Sequence, residues 1–256
     1  MTHPRSTSSA LMGLILIVVS ACSSDTTGSN GKAVSLSFST KSKAAPSVVG
    51  ANHLGLLTQT VGTNTLVIST AQVVMAKIEL TSNLATNCMD NSGSADCEEL
   101  KADPSLVNLP TDPSVTTAVV KSVPAGTYDA FEGKVKVVQS TDQGGASFLM
   151  THPTFTGVSV HVGGTYNGMA FACNSVATAE LELEFPKPIV VDATGLNITV
   201  NVDLAKWFVD GSGALVDPTN MICGGSSAAL VDQNIHGSFE AFEDDNKNGV
   251  DDSTEH

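Results

Sequence analysis

Beyond its first thirty or so residues the chain alternates. In AVSLSFS, Val34, Leu36 and Phe38 are separated by Ser35, Ser37 and Ser39, and in AELELEF, Leu181, Leu183 and Phe185 are separated by Glu180, Glu182 and Glu184. In NITVNVDL, Ile198, Val200, Val202 and Leu204 alternate with Asn197, Thr199, Asn201 and Asp203. A period of two places apolar groups on one side of an extended chain and polar groups on the other. These stretches predict half-buried antiparallel strands with one dry face and one wet face. Less regular runs, LVIST, VVMAKIEL, GKVKVV, SFLMT, GVSVHV and GMAFA, are punctuated by Gly, Pro, Asn and Asp and predict further strands. Many strands and few helical patterns predict an all-β chain folded as an antiparallel β-sandwich.

Two regions depart from this rhythm. Residues Thr86 to Pro113, NCMDNSGSADCEELKADPSLVNLPTDP at their heart, predict a long inserted loop. Near the end the period changes: Val231, Ile235, Phe239 and Phe242 are spaced by four, four and three, which places them on one face of a short C-terminal helix. Gly237 within it costs about 1 kcal/mol relative to alanine.

The start of the chain carries an address. Residues 1–21 run from a polar segment with Arg5 through ALMGLILIVV to small residues, the layout of a secretory signal. The apolar run is about ten residues, whereas a membrane-spanning helix needs roughly twenty. Val19-Ser20-Ala21-Cys22 resembles the lipobox of bacterial lipoproteins, which implies that Cys22 is acylated and becomes the first mature residue. Each buried methylene of its acyl chains adds roughly 0.8 kcal/mol, so several chains on Cys22 hold the protein in a leaflet. Residues 22–32, rich in Ser, Thr and Gly, then read as a flexible tether. Ser23 beside the lipidated cysteine, where similar lipoproteins retained at the inner membrane carry Asp, points to the outer membrane of a bacterial envelope.

Charge narrows the partners. The full chain is at net −14. Removing residues 1–21 takes away Arg5 and no acidic residue, and leaves 256 less 21, or 235 residues, at −15. Nucleic acids and anionic headgroups need clustered Lys and Arg, so nucleic acid is excluded as an expected partner. Four cysteines remain beyond Cys22: Cys88, Cys97, Cys173 and Cys223. An even number in an exported chain predicts disulfides; three pairings are open, and proximity favours Cys88 with Cys97 and Cys173 with Cys223.

Several stretches are familiar. VPAGTYDAF, preceded by LVNLP, resembles the turn-and-strand signature of uncharacterised bacterial envelope lipoproteins with a transthyretin-like β-sandwich. GTYNGMAF, NITVNVDLAKWF, GALVDP and IHGSFEAFEDDNKNGVDD are similar to the later part of such chains. The resemblance implies a transthyretin- or immunoglobulin-like sandwich over residues 33–243, with the insertion near 86–113, and it carries no active-site residue. Pro124, Gly126 and Tyr128 match its turn.

Catalytic patterns are sparse. His161 lies on the polar side of VSVHV, GGSS at Gly224–Ser227 lacks a strand-to-helix elbow, and GGTYNG at Gly163–Gly168 reads as a hairpin turn. The Glu180, Glu182, Glu184 stripe reads first as a solvated face; an inward pair of carboxylates would instead suit a hydrolase. Trp207 and Phe208 read first as core and second as a sugar-stacking platform.

Residues 244–256 form an acidic tail with a second reading. With Asp244 at position one, Asn246, Asn248, Val250, Asp252 and Glu255 fall at positions three, five, seven, nine and twelve around Gly249. Ca²⁺ takes six to eight oxygens, and this spacing supplies side-chain oxygens, the Val250 carbonyl and a terminal carboxylate. The Val231–Phe242 face supplies an entering helix. Asp251 stands at position eight, where such loops usually carry an aliphatic residue, and no exiting helix follows. A shorter site of Asp244, Asn246, Asn248 and Asp252, similar to dockerin or thrombospondin-repeat loops, tolerates both departures. Ca²⁺ is thus the one cofactor expected, against the bland reading of a hydrated tail.

The chain is accordingly expected to be a non-enzymatic lipid-anchored envelope protein. Its β-sandwich would serve binding or structural contacts with an envelope protein or a glycan. The alternative is a sandwich-fold carbohydrate-binding module or envelope hydrolase. Cys22→Ser is expected to move the protein from the membrane fraction to the soluble fraction and to abolish labelling by a fatty-acid probe; pelleting and labelling that persist refute the lipobox.

Overall fold

The computed structural model describes residues 32–40, 49–52, 56–81, 103–112, 114–123, 126–191 and 196–254. Along them run β1 (Lys32–Ser39), β2 (Val49–Asn52), β3 (Leu56–Val61), β4 (Asn64–Thr81), β5 (Ser105–Asn108), β6 (Val115–Val123) and β7 (Gly126–Val135). There follow α1 (Gly145–Thr151), β8 (Val160–Tyr166), β9 (Met169–Ser175), β10 (Ala179–Val191), β11 (Leu196–Val202), α2 (Ala228–His236) and β12 (Phe239–Glu243). The protein is mostly β, in two sheets of largely antiparallel strands, one of them curled, with a short helix near the C-terminus. The smaller sheet has the order β12-β11-β1-β6. In the larger sheet the path is β10-β7-β4-β3-β2, with β5 and β8 also paired to β4, and β9 paired to β8.

The alternating residues decide which faces meet. Val34, Leu36 and Ile198 of the smaller sheet face Ile78, Leu80 and Phe131 of the larger one across a shared core. Phe38, Val200, Val202, Leu181 and Phe185 point into the same core, as their parity predicts. LVIST and VVMAKIEL, expected as separate strands, form one 18-residue strand, β4, which is the spine of the larger sheet. Its two faces are both covered at mid-length: Val73 and Met75 enter the main core, while Val74 packs outside against Val138, Phe148, Phe155 and Val158. That second cluster belongs to the segment holding α1.

SFLMT, expected as a strand, is thus helical. Gly144, at φ 68°, precedes the helix, and Phe148 uses helical geometry to reach the outer side of β4. Five residues are too few for periodicity to separate strand from helix. The GGTYNG expectation holds in its second half: Asn167 and Gly168 have φ of 51° and 80° and join β8 to β9 in a two-residue hairpin. In the expected insertion, Ser105–Asn108 pairs with Gln72–Met75 of β4, so that part is sheet rather than loop.

The smaller sheet corrects two expectations. β1 and β11 are parallel, whereas the other nine described pairings are antiparallel. Their polar faces are also not wet. Ser37, Ser39 and Thr199 are fully buried, and Asn197 and Asn201 nearly so. Ser37 donates to the Asn197 side chain at 2.8 Å, Ser39 to that of Asn201 at 2.8 Å, and Asn197 to Thr199 at 3.2 Å. Parity sets which side a residue faces; the cover over that side comes from distant chain. Each such bond contributes about 1 kcal/mol net, whereas an unmade one in this layer costs about 1–3 kcal/mol.

The helical reading near the C-terminus holds only for its first half. Val231 and Ile235 are fully buried on α2, but the helix stops at Gly237, and Phe239 and Phe242 lie on β12, antiparallel to β11. An open edge on β11 offers backbone partners that the last turns of a helix would not use. Asn234 Nδ2 donates to the Val209 carbonyl at 2.7 Å, and Trp207 Nε1 donates to Ser238 Oγ at 2.7 Å, which seats α2 on the segment after β11.

Cys173 on β9 is bonded to Cys223, with Cα atoms 4.9 Å apart, as expected. Cys22, Cys88 and Cys97 lie outside the described residues. The Cys173–Cys223 bridge spans 50 positions. Replacing both by alanine is expected to lower unfolding free energy by about 4 kcal/mol, the chain-entropy value for such a loop, in urea titrations. A loss below about 1 kcal/mol contradicts an entropic role for this bridge.

Candidate functional site

The C-terminal loop is held by β12. As that strand ends, the Asp244 N–H donates to the Asn197 carbonyl at 3.1 Å, and the Asp244 carbonyl accepts Asn197 Nδ2 at 2.7 Å. The side chain of Asp244 is wholly buried. Its Oδ2 accepts the Thr199 hydroxyl at 2.7 Å and the Gly249 N–H at 2.9 Å, and its Oδ1 accepts the Asn248 N–H at 2.9 Å. A buried carboxylate without donors is prohibitively costly, so these three bonds are what allow the charge to stay there.

The same habit repeats along the loop. Asn246 Oδ1 accepts the Asn248 N–H at 2.9 Å, and Asn248 Oδ1 accepts the Val250 N–H at 2.7 Å. Asp252 Oδ2 accepts the Asp245 N–H at 2.7 Å, and its Oδ1 accepts Asn246 Nδ2 at 3.3 Å. Short polar side chains that bond the backbone two residues on make such turns. Gly249, at φ 74°, permits the sharp reversal, and Lys247 also sits at positive φ, 58°.

The structure thus brings Asp244, Asn246, Asn248 and Asp252 into one loop, with Val250 on it and exposed; Glu255 lies outside the described residues. The loop is entered from β12, not from the expected helix. Among the described residues no three His, Cys, Asp or Glu side chains are grouped so as to hold a metal. The loop's oxygens come from two carboxylates, Asp244 and Asp252, together with the side chains of Asn246 and Asn248 and the Val250 carbonyl. Sequence reading missed Asn197 and Thr199 as its anchors. Their signal was the polar parity of NITVNVD, read as exposure.

The loop is electrostatically crowded. Burial pushes the Glu243 carboxyl above the ordinary glutamate range, and Asp245, Asp252 and Asp251 push it the same way. Lys247 reaches away, its Nζ lying 3.4 Å from Thr117 Oγ1 on β6.

The other candidates fall elsewhere. Glu180, Glu182 and Glu184 are exposed on the outer face of β10, and Glu180 is ion-paired with Lys134 of β7. His161 Nδ1 lies 2.8 Å from Asn174 Oδ1 across the β8–β9 pair, within hydrogen-bond distance. Trp207 and Phe208 are fully buried and present no ring to a sugar. Gly224–Ser227 forms the turn before α2, with Gly224 at φ 81°. No protein-family model, curated protein or solved structure matches the chain.

Glu243 titrates with a definite sign. A carboxyl whose folded pKa lies above the unfolded value of 4.5 favours the folded state at pH below 4.5, and that contribution is lost as pH rises through the folded value. Glu243→Gln is therefore expected to raise Tm at neutral pH in calcium-free buffer and to leave Tm unchanged once both forms are neutral in acid. An equal shift at both pH values rules out the charge as the cause.

Proposed function

We infer that the chain is a lipid-anchored envelope protein of the bacterial outer membrane. Its transthyretin-like β-sandwich would serve binding or structural contacts rather than catalysis, and its C-terminal loop would be fastened by Ca²⁺. Val19–Cys22 supports the anchor, and the alternating strands in two facing sheets support the sandwich. The observation that carries the calcium reading is the Asp244 carboxylate, buried at the root of a loop whose side-chain oxygens already curl inward onto its own amides.

A carboxylate offers about four acceptor positions, and Asp244 uses three, leaving one for a cation. Asn246, Asn248, Asp252 and the Val250 carbonyl supply further oxygens, with Glu255 as the expected last ligand. The ion would also offset the crowding of Glu243, Asp245, Asp251 and Asp252. Fastening the loop would fasten the cover over the polar layer of the smaller sheet. The partner would be an envelope protein or glycan, met at the far end of the tether.

Titration of Ca²⁺ into the protein, followed by NMR of the amides of residues 244–254, is expected to give saturable shifts with a midpoint of about 10⁻⁴ to 10⁻³ M, as for extracellular calcium modules. At about 10 mM this corresponds to roughly 1.4 to 2.7 kcal/mol of added stability. Asn248→Ala, at an exposed position, and Asp252→Ala, at a half-buried one, are expected to weaken the response while leaving the two sheets intact. Unchanged resonances, or equal responses in both variants, leave a hydrated tail and no calcium site.

A further inference from the structure

The strand registers gather many chain ends at one level. Lys32, which opens β1, pairs with Val123 at the end of β6, and Val34 pairs with Leu196 at the start of β11. Gly126, which opens β7, follows Val123 by three positions and pairs with Val191 at the end of β10. β12 runs down to the same level, where the Asp244 N–H donates to the Asn197 carbonyl and Asp245 Oδ1 accepts the Asn197 N–H at 3.0 Å. β1, β7 and β11 thus begin, and β6, β10 and β12 end, at one end of the fold. The C-terminal loop is rooted there too: Asn197 is level with Ser35, three strand positions or about 10 Å from Lys32.

The larger sheet carries the chain to the opposite end. From Gly126 it rises nine positions on β7 to Val135, which pairs with Met75, and β4 continues eleven positions further to Asn64. At about 3.3 Å per residue this is about 65 Å along the curled sheet. β3 packs against Leu204–Lys206, which follow β11, so the tip lies beyond the Val202 end of the smaller sheet and not back at its Leu196 end. There the β3–β4 turn and the β8–β9 hairpin are fastened together. Asn167 Nδ2 donates to Asn64 Oδ1 at 3.0 Å, the Thr65 N–H donates to Asn167 Oδ1 at 2.8 Å, and the Asn167 N–H donates to the Thr65 carbonyl at 2.8 Å.

The two ends differ in charge. Residues 243–252, at the Lys32 end, hold five carboxylates and one lysine. Residues 44–76 and 143–179 hold no Asp, Glu, Lys or Arg, in a chain at −14. These two stretches include β2, β3, the far half of β4, β8 and β9. Outlying strands usually carry a charge that discourages pairing with another protein, and the cores of protein interfaces are depleted in charge and enriched in Met. β9 has no charged side chain and leaves Met169, at the hairpin, 61% exposed. The strands of the tip thus have the composition of a surface kept for contact, and the opposite end does not.

We propose that the protein stands on the lipid leaflet by its Lys32 end: that end, with the C-terminal loop, faces the headgroup layer, and the charge-free tip of β3–β4 and β8–β9 is turned away from it. The orientation rests on the lipid anchor at Cys22 and is independent of calcium. Lys32 is ten positions on from Cys22, and ten residues span at most about 36 Å in any conformation. The anchor therefore holds the Lys32 end close and leaves the tip the farther of the two. The loop's carboxylates repel the phosphates of an anionic leaflet, but only within a Debye length of about 8 Å at physiological salt. Tether length thus sets which end faces the leaflet, and charge sets the gap beneath it.

The test places the mature, acylated protein in phosphatidylcholine nanodiscs in calcium-free buffer, with a nitroxide on a fraction of the headgroups. Amide intensities are compared with the nitroxide active and reduced. Residues 123, 126, 196 and 244–252 are expected to lose most of their intensity, and residues 62–65 and 167–169 to keep theirs, because paramagnetic broadening falls steeply with distance. Adding phosphatidylglycerol at low ionic strength is expected to lessen the loss at 244–252, and about 1 M salt, where the Debye length is about 3 Å, to restore it. Cys22→Ser is expected to abolish the broadening at both ends. Equal losses at the two ends, or a larger loss at the tip, in a protein that mass spectrometry shows to be acylated overturn the orientation and leave the anchor standing. Cys22 without fatty acid overturns both. Broadening that persists in Cys22→Ser, or that grows on phosphatidylglycerol, means that the loop itself binds headgroups and overturns an orientation set by the tether.

Discussion

The burial of Asp244 is the constraint on which the smaller sheet depends. A carboxylate removed from water must recover its solvation from fixed donors. Here the donors come from two sources: the Thr199 hydroxyl on β11, and the amides of Asn248 and Gly249 on the loop that Asp244 itself begins. One charge therefore fastens the loop to the sheet and the loop to itself. With that cover in place, Asn197 and Thr199 lose water as well, and a chain of donors runs from the Ser37 hydroxyl to Asn197, from Asn197 Nδ2 to Thr199 and from Thr199 to Asp244. The layer is polar in composition and dry in environment, an arrangement that lasts only while its members are bonded.

The larger sheet meets the opposite problem with apolar groups. β4 is too long to be covered by one facing sheet, and its middle is wrapped on both sides, by the main core and by the cluster around Phe148. On its remaining outer surface the larger sheet carries a charge ladder. Lys77, Lys134 and Glu180 form one row across β4, β7 and β10, and Glu79, Glu132 and Glu182 form the next, tied together by the Lys77–Glu79, Lys77–Glu132 and Lys134–Glu180 pairs. Such a ladder keeps an open sheet face soluble and discourages pairing with another sheet. Each of its lysines is matched to a carboxylate, Lys77 to Glu79 and Glu132 and Lys134 to Glu180.

Much of this was legible in the chain, for a local reason. Side chains on an extended backbone must alternate, so Val34, Leu36 and Phe38, or Ile198, Val200 and Val202, declare a core face without reference to any partner. Asn167–Gly168 declares a hairpin because few other dipeptides accept two positive φ angles in succession. The oxygen spacing from Asp244 to Asp252 and the bridge between Cys173 and Cys223 were likewise readable, since each depends on residue type and separation.

What only the tertiary structure decided concerns neighbours that are far apart in the chain. Ser37 and Thr199 have the parity of wet positions, yet they are dry because residues 244–249 lie over them. Phe239 and Phe242 keep a helical spacing, yet they extend as strand because β11 presents an edge with backbone partners to fill. β1 and β11 run parallel although far apart in the chain, with β2 to β10 between them, and no local pattern in either strand encodes that direction. Lys77 and Lys134 share a recess because register sets them side by side, and register is a property of two strands together. The sequence by itself determined which way each side chain points, because that follows from the backbone of one strand. What it points at was decided by closure of the fold, because that depends on segments the local pattern does not contain.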